Sequence, residues 1–394
     1  MNIDKKEWFD NVPDRRGTRC YKWDSTEDRE VIPMWVADMD FRTAPNVIAA
    51  LEKRVGHGVF GYTLLDDEYY NALTGWFATR HNYIFSREAV IAVPGVVPAI
   101  SAIIKALAPE GSGVIVQTPV YNCFFSSIRN NGCKVVEAPL QRVDYEDGTF
   151  SYKMDFEALE SAASKEENKL FLLCNPHNPA GRLWTREELE KVSEICKRND
   201  VIVVSDEIHC ELTRPGTEYF AYGRIDPEAI VCVSPSKAFN TAGLQIANII
   251  AADDSMRRRI DRAVNINEVC DVNPFGPVGL IASYSDEGER WLKALREYIW
   301  ENYDLLLKRF REELPECPVC RLEATYLPWV DVRALNIPSK EIEERMVKES
   351  KVWVNDAEMY GGEGYIRINI ASSRDKVNEG LNRIINWLRG ELKV

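Results

Sequence analysis

Polar residues stand after three short aliphatic runs of the sequence, and their side chains could do chemistry together. They are Asn178 after LFLLC, Asp206 after VIVV and Lys237 after IVCV. A lysine amine can act as a nucleophile and as a base, and a carboxylate can hold a protonated nitrogen. Because ligands of open α/β sheets bind outside the carboxyl ends of the strands, we expect the three side chains to meet in one crevice.

Short aliphatic runs alternate with helical patterns between about residues 44 and 284, which predicts an α/β fold with a mostly parallel sheet and crossover helices. The predicted strands are 113–117, 134–137, 170–174, 201–204, 230–233 and 247–251. Their continuous apolar character indicates that both faces of the sheet are covered. One crossover helix is well marked, because Thr185 and Glu188 form a capping box ahead of an apolar face.

The pattern changes outside this segment, and we predict three regions. Residues 1–44 form an N-terminal arm that joins the small domain, 45–285 form the large domain, and 286–394 form a small α+β domain. The small domain is expected to begin with a long charged helix and to end with a helix that Ser372 or Ser373 caps.

Each chemical candidate also has an ordinary explanation when it is taken alone. A lysine such as Lys237 is most often a solvated charge, Asp206 could cap a helix, and Asn178 before a proline is typical of a turn. His209 could be a buried polar residue near the core. The set is more specific than its members, and its motifs are NPHNPAGR, SDEIH and SPSK.

These motifs resemble those of the fold type I pyridoxal-phosphate (PLP) enzymes. With MWVADMDF at residues 34–41, the chain is similar to the MalY/PatB group of cystathionine β-lyases, also called C–S lyases, over nearly its whole length. The resemblance implies PLP as cofactor. It also implies a large domain similar to aspartate aminotransferase, with a mostly parallel seven-stranded sheet, beside a smaller α+β domain.

The resemblance assigns the contacts of the cofactor ring. Lys237 matches the lysine that binds the PLP aldehyde covalently and then removes the substrate α-proton, and Asp206 matches the carboxylate that keeps the ring nitrogen protonated. Asn178 matches the asparagine that contacts the ring hydroxyl, and Tyr121 matches the aromatic residue that stacks on the ring. His209 stands where related aminotransferases usually have tyrosine, so its role in cofactor binding stays open.

The cofactor phosphate is expected at the start of a helix, where backbone N–H groups have no helical partner. The groups expected to bind it are Gly95, Val96 and Val97 at the helix start and the hydroxyls of Ser234 and Ser236. Many class I aminotransferases place a basic residue eight positions after the lysine, but this chain has Gln245 there. Other groups must therefore meet the phosphate charge.

An amino-acid substrate presents a carboxylate, which a guanidinium can bind through two hydrogen bonds. Arg367, inside the apolar run YIRIN, matches the family's arginine for this role. An arginine in such a run is costly unless it is paired, which supports a functional interpretation. Trp35 and Ala37 of the arm are expected to line the other side of the substrate.

Tyr62, in the segment FGYT, matches a tyrosine that the family contributes from the neighbouring subunit. The resemblance therefore implies a homodimer with shared active sites. Together with Lys237 and Tyr121, Tyr62 forms the predicted catalytic set.

Composition limits the partners and the compartment. The chain has 394 residues, with 49 Lys and Arg against 62 Asp and Glu, which argues against nucleic acid or an anionic membrane as a partner. Its apolar runs are shorter than the ~20 residues of a membrane helix and its start lacks a signal-peptide pattern, so a cytoplasmic location is expected. The cysteines are expected to be reduced core residues. Cys317 and Cys320 have no second pair to complete a zinc site, so no metal is expected.

The predicted reaction is PLP-dependent α,β-elimination from an L-amino acid with sulfur on Cβ, such as cystathionine or a cysteine S-conjugate. It yields a thiol, pyruvate and ammonia. The alternative is an amino-acid aminotransferase, which would use the same residues, and only the WVADMDF and DEIH motifs favour the lyase. A third hypothesis, a PLP-binding regulatory protein, has no support from a partner surface in the sequence.

Overall fold

The aliphatic runs form strands in the computed structural model, which describes residues 5–266, 268 and 271–392. In chain order the strands are β1 Ile32–Pro33, β2 Val90–Val93, β3 Gly113–Val116, β4 Lys134–Glu137, β5 Gln141–Asp144, β6 Phe150–Lys153, β7 Asn168–Cys174, β8 Ile202–Asp206, β9 Ile230–Val233, β10 Ala247–Ala251, β11 Trp329–Asp331, β12 Val352–Trp353, β13 Asn355–Asp356 and β14 Tyr365–Arg367. All six predicted strands of the large sheet are present. Strand β2 and the hairpin β5–β6 were not predicted.

Seven of these strands form one sheet in the order β2-β10-β9-β8-β7-β3-β4. Strand β10 runs antiparallel to β2 and β9, and the remaining neighbours from β9 to β4 pair in parallel. The expected mostly parallel seven-stranded sheet is confirmed. Because β2, β3, β7, β8 and β9 run in one direction, the segments that follow them meet at the same edge of the sheet.

Helices cover both faces of this sheet. The α-helices of the whole described part of the chain are α1 Tyr21–Asp24, α2 Pro45–His57, α3 Asp67–His81, α4 Val96–Leu107, α5 Asn122–Asn130, α6 Phe156–Ala163, α7 Arg186–Arg198, α8 Tyr222–Ile225, α9 Asp254–Ile266, α10 Gly276–Ser283, α11 Asp286–Glu313, α12 Ser339–Arg345 and α13 Arg374–Glu391. Leu170 and Leu172 of β7 pack in the core with α4 and α9, whereas Phe171 and Leu173 pack with α6 and α7. The alternation of β7 side chains between two apolar layers explains its continuous apolar sequence.

Helix α7 begins where the capping box predicted it. The Thr185 hydroxyl accepts a hydrogen bond from the Glu188 N–H at 3.2 Å, and the Glu188 carboxylate accepts one from the Thr185 N–H at 2.8 Å. Leu189, Val192 and Ile195 of this helix are buried against the sheet. The helix leads directly into β8, and the pairing of β8 with β7 and β9 sets the position of Asp206 at the end of that strand.

The C-terminal part contains the long helix α11, a second sheet of order β11-β14-β13, and the helices α12 and α13. The arm joins this part through β1, which pairs in parallel with β12. The predicted boundaries 1–44, 45–285 and 286–394 stay a prediction, and residues 1–4, 267, 269–270 and 393–394 of them lie outside the described residues.

The predicted cap of the last helix is wrong in its chemistry. Helix α13 begins at Arg374 as expected, but the side chain of Ser373 makes no capping hydrogen bond. The Tyr298 hydroxyl accepts the Arg374 N–H at 2.7 Å instead. A tertiary contact from α11 thus satisfies a donor that the sequence assigned to Ser372 or Ser373.

No helix of the described ranges is both long enough and apolar enough to cross a membrane. The described cysteines are all unpaired, and each of them except Cys123 is buried. Seven of them pack as small apolar side chains in the hydrophobic core, and these are Cys133, Cys174, Cys196, Cys210, Cys232, Cys317 and Cys320.

Candidate active site

A cavity of about 570 Å³ opens at the edge of the sheet where the parallel strands end. All predicted site residues except Tyr62 line it, and these are Trp35, Ala37, Gly95, Val96, Val97, Tyr121, Asn178, Asp206, His209, Ser234, Ser236, Lys237 and Arg367. Five strand ends, the arm and β14 of the C-terminal sheet therefore supply its walls. The structure brings together side chains as far apart in the chain as Trp35 and Arg367.

Lys237 follows β9 and is half-buried in this cavity. Its Nζ donates a hydrogen bond to the Ala37 carbonyl at 2.7 Å, and the Tyr326 hydroxyl donates to the same carbonyl at 2.9 Å. Burial lowers the pKa of Lys237, and the positive charge of Arg367 lowers it further. The neutral amine, which is the form that acts as a nucleophile or base, is therefore easier to reach than for a solvated lysine.

Asp206 is the last residue of β8 and is 3% exposed. Its carboxylate accepts one hydrogen bond from the Ile208 N–H at 3.1 Å. Burial raises the pKa of Asp206 to about 7. A buried carboxyl group with a single backbone donor is stabilised in its charged form by a cationic N–H group placed in the cavity.

Arg367 is 4% exposed and presents its guanidinium to the cavity. It donates to the Asn178 Oδ1 at 3.2 Å, to the Trp35 carbonyl at 3.0 Å and to the Asn355 Oδ1 at 2.9 Å. All three acceptors are neutral, and its Nε is buried without a hydrogen-bond partner. Among the described residues, no carboxylate forms an ion pair with Arg367. A buried guanidinium held in this way is prepared to receive an anion.

The bond from Arg367 also orients Asn178. Because its Oδ1 accepts from the guanidinium, the amide NH₂ group is the end left for other partners. Asn178 is 2% exposed and lines the cavity. It can therefore donate a hydrogen bond to an oxygen held between Lys237 and Asp206.

His209 and Tyr121 are both neutral groups in the wall of the cavity. Burial, with the positive charges of Lys237 and Arg367, lowers the pKa of His209 to about 3, and its Nδ1 has no hydrogen-bond partner. Burial raises the pKa of Tyr121 well above its ordinary value, so the phenol keeps its proton. Both side chains can offer hydrogen bonds or a ring face without adding charge, and their individual roles stay predictions.

The first turn of α4 faces the cavity from another side. The first hydrogen bond within the helix runs from the Ala99 N–H to the Gly95 carbonyl at 3.0 Å, so the N–H groups of Val96 and Val97 have no helical partner. The backbone of Gly95 is extended, with φ of 177°, and this conformation does not itself require glycine. These N–H groups and the helix dipole favour an anion such as a phosphate.

Ser234 supports the loop in front of Lys237. Its hydroxyl donates to the Ile246 carbonyl at 2.7 Å and accepts from the Ser236 N–H at 3.1 Å. The single hydroxyl proton of Ser234 is thus used within the protein, and its predicted contact with a phosphate stays a prediction. Ser236 is half-buried and also lines the cavity.

Buried charges hold the WVADMDF motif of the arm in place. Asp40 is 2% exposed and accepts hydrogen bonds from Lys22 Nζ at 3.1 Å and from Trp23 Nε1 at 2.8 Å. Arg15 binds Asp38 at 2.6 Å and Asp40 at 3.1 Å. Because separating Lys22 from Asp40 would leave a buried ion unpaired, the cluster keeps Trp35 and Ala37 at the cavity.

Two asparagines that sequence analysis missed tie the arm to the site. Asn369 Nδ2 donates to the carbonyls of Val36 at 2.5 Å and Asp38 at 2.7 Å. Asn240, three residues after the lysine, donates to the Met39 carbonyl and accepts from the Met39 N–H, both at 3.0 Å. The only sequence signal was their proximity to Arg367 and Lys237.

Tyr62 lies apart from this cavity and its side chain is 100% exposed. It belongs to the segment between α2 and α3, in which Val59, Phe60 and Leu64 are also exposed. Its predicted contact with an active site requires a second subunit.

One group of described side chains, His81, Cys210 and Glu211, has ligand atoms within 4.8 Å of one another. Burial raises the pKa of Glu211, but the charges and hydrogen bonds of His81 and Arg80 lower it to about 2. Both carboxylate oxygens already accept hydrogen bonds, since Trp76 and His81 donate to Oε1 and Arg80 donates to Oε2. Both oxygens of the Glu211 carboxylate are therefore hydrogen-bonded, and the Arg80 guanidinium supplies the positive charge beside it.

The donor set of the cavity fits PLP. The buried carboxylate of Asp206 suits a protonated ring nitrogen, the Lys237 amine suits the aldehyde, and the Asn178 amide suits the ring hydroxyl. The free N–H groups at the start of α4 suit the phosphate, and Arg367 remains for a substrate carboxylate.

In the cofactor-free protein, replacing Asp206 by Asn is expected to increase stability at pH 8, and the gain should shrink as the pH falls toward 4. The pKa of Asp206 is about 7 in the folded protein and 3.8 ordinarily. Between these values the folded state holds a proton that the unfolded state has released, so the stability contributed by Asp206 is lost as the pH rises. Denaturation midpoints at several pH values measure the effect.

The matched control for this prediction is Asp261→Asn, an exposed position on α9. Its midpoint should follow the unaltered protein at each pH. A gain from Asp206→Asn that stays the same from pH 4 to pH 8 would contradict the assignment.

Comparisons with known proteins agree with this site. The family described as aminotransferase class I and II matches residues 29–384. Cystathionine β-lyase PatB of Bacillus subtilis is 38% identical, over 98% of this chain and 99% of its own. Protein MalY of Escherichia coli is 33% identical, over 97% of this chain and 98% of its own. The crystal structure of cystalysin from Treponema denticola, which contains pyridoxal 5'-phosphate, has a TM-score of 0.92 and 32% identity, covering 99% of this chain and 100% of that chain. The chain belongs to the aminotransferase class I and II family, in the group that includes PatB and MalY.

Proposed function

We propose that this protein is a PLP-dependent carbon–sulfur lyase that acts on cystathionine or on a cysteine S-conjugate. The observation that carries the proposal is the buried Arg367 guanidinium, which faces the same cavity as Lys237 and Asp206 and lacks an anionic partner among the described residues. That combination fits an α-amino acid presented to PLP. The similarity to PatB and MalY favours elimination over transamination.

Arg367 binds and orients the substrate. Its guanidinium is fixed by the Trp35 carbonyl and by the side-chain oxygens of Asn178 and Asn355, and the N–H groups that remain for a carboxylate are the Nε–H and one N–H of Nη1. Fixing the carboxylate sets the direction of the Cα–H bond relative to Lys237. Pre-organisation of this kind lowers the entropic part of the barrier.

Lys237 moves the proton. PLP, when bound, supplies an electron sink for negative charge at the substrate α-carbon. The lysine amine accepts the α-proton, the C–S bond at Cβ breaks, and the sulfur leaves as a thiolate. The lowered pKa of Lys237 provides the neutral amine that this step needs, and its hydrogen bond with Ala37 gives the amine a defined resting position.

The holoenzyme is expected to convert L-cystathionine to equal amounts of pyruvate and thiol without any added keto acid. Elimination regenerates the starting cofactor, whereas transamination needs an acceptor for the amino group. Pyruvate and free thiol are measured together, with Lys237→Ala as the inactive control. An absolute requirement for 2-oxoglutarate would make the protein an aminotransferase.

Replacing Arg367 by Lys is expected to lower kcat/KM for the thioether about 100-fold. Lysine keeps the charge but loses the paired donors, and it leaves buried acceptors of Asn178 and Asn355 unpartnered. Steady-state kinetics check the effect. Arg258→Lys is the control, because Arg258 is an exposed arginine that pairs with Asp254 on α9. Equal kcat/KM for the Arg367→Lys and Arg258→Lys variants would show that Arg367 does not bind the substrate.

We also propose that the active unit is a homodimer in which Tyr62 of one protomer reaches the cavity of the other. Full exposure of Tyr62 beside exposed Val59, Phe60 and Leu64 supports this proposal, because large apolar side chains exposed together are typical of an interface. A cytoplasmic location also belongs to the proposal, supported by the acidic composition and the mostly buried, unpaired cysteines.

A mixture of Lys237→Ala protein and Tyr62→Ala protein tests the shared site. Each parent is expected to be nearly inactive. After subunits exchange, half of the dimers combine the two variants and carry one intact site, so about a quarter of the unaltered activity should return. Sedimentation measures whether the protein is a dimer. A mixture as inactive as its parents, in the presence of demonstrated exchange, would place the role of Tyr62 within its own subunit, and a Tyr62→Ala parent that keeps full activity would place Tyr62 outside the chemistry.

A further inference from the structure

Glu343 lies on α12, half-buried between that helix and the C-terminal sheet. Its Oε1 accepts a hydrogen bond from the Trp353 indole N–H at 2.9 Å. Its Oε2 accepts one from the Asp356 backbone N–H at 2.8 Å. A single carboxylate therefore joins two segments, and each of them leads to the cavity.

The first segment leads to the aromatic wall. The Trp353 ring is stacked on the Trp35 ring, with centroids 4.3 Å apart and planes inclined by 7°. Trp35 lines the cavity, and its carbonyl accepts a hydrogen bond from Arg367. The orientation of the Trp353 indole, which Glu343 holds through its N–H group, thus sets the surface on which Trp35 rests.

The second segment leads to the guanidinium. Asp356 follows Asn355 in β13, and Asn355 stands opposite Arg367 in the pairing of β13 with β14. The Asn355 Oδ1 accepts from Arg367 Nη2 at 2.9 Å. By holding the N–H group of Asp356, Glu343 fixes the strand that carries this acceptor.

The location of Glu343 is electrostatically unfavourable for a carboxylate. Burial and the nearby Asp356 carboxyl raise the pKa of Glu343 to about 7. The Asp356 carboxylate itself accepts the Glu358 N–H at 2.7 Å, and no arginine or lysine of the described residues forms an ion pair with Glu343. Stability alone does not explain a carboxyl group there, because a neutral residue would avoid this cost.

We propose that Glu343 is a positioning residue for substrate recognition, which holds the Trp35 wall through Trp353 and the Arg367 guanidinium through Asn355. The inference rests on the proposed function, since it concerns how the same site binds a substrate carboxylate. Glu343 acts on the substrate only through these residues.

The test compares Glu343→Gln with Glu344→Gln in the holoenzyme. Glutamine places an NH₂ group against one of the two N–H donors, so one of the bonds of Glu343 is lost. KM for the thioether is expected to rise about tenfold with kcat within about twofold, because binding of the carboxylate weakens equally in the ground and transition states. Glu344 is the exposed neighbour on the same helix and receives the same Glu-to-Gln substitution, so its variant should match the unaltered enzyme.

A second readout does not depend on catalysis. Two indoles stacked as closely as Trp35 and Trp353 couple their transitions, and this coupling gives a circular dichroism couplet that Trp35→Phe identifies by its loss. Glu343→Gln should diminish the couplet while the thermal unfolding midpoint shows that the protein is folded. If the Gln variant does not fold, Glu343→Asp, which keeps the carboxylate but shortens the side chain that reaches both donors, replaces it, with the same expected rise of KM and weakening of the couplet.

The proposal is overturned if Glu343→Gln keeps the couplet, or if its KM equals that of Glu344→Gln. It is also overturned if kcat falls as much as kcat/KM, since that pattern indicates a role in the chemical step. If the unaltered enzyme cleaves no thioether, the proposed function fails, and an unchanged couplet in Glu343→Gln then separately rejects the positioning role.

Discussion

A positive charge buried without a fixed negative partner organises this molecule. Arg367 lies in a strand of the C-terminal sheet and has no anionic partner among the described residues; its guanidinium bonds to neutral oxygens of Asn178, Asn355 and Trp35 and lies over the Tyr360 ring at 4.8 Å. Such an arrangement costs free energy in the empty protein and is repaid when an anion enters. Since the three acceptors belong to the large sheet, the small sheet and the arm, the hydrogen bonds of Arg367 hold these three parts together at the cavity.

A cluster of charged side chains within the arm fixes the arm beside Arg367. The Arg15, Lys22, Asp38 and Asp40 cluster is compact and largely buried, with Lys22 and Asp40 at 1% and 2% exposure. Its role is mechanical, because it fixes the backbone of residues 35–37 so that two of its carbonyls point at Arg367 and Lys237. The acidic motif near the N-terminus is therefore part of the wall of the cavity and has no direct share in the chemistry that we propose.

The sequence was a good guide where one segment carries both the local structure and the chemistry. A strand ending in Asp206, or one followed by SPSK, shows its direction and its polar end together, and the sheet joins these ends because its strands are parallel. It was a poor guide where a contact joins distant segments. Tyr298 replaces Ser373 at the start of α13, and Asn369 bonds to the arm more than 300 positions away. Periodicity and capping rules describe neighbours along the chain, so such partners have no local signal.

The carbonyl of Ala37 has two donors, the Lys237 amine at 2.7 Å and the Tyr326 hydroxyl at 2.9 Å. A buried oxygen with a single donor would resist the departure of that donor, because it would be left unsatisfied. In the reaction that we propose, the Lys237 amine leaves this oxygen to take up the α-proton, and the Tyr326 hydroxyl keeps the oxygen hydrogen-bonded meanwhile. The second donor thus lowers the cost of moving the lysine in each turnover.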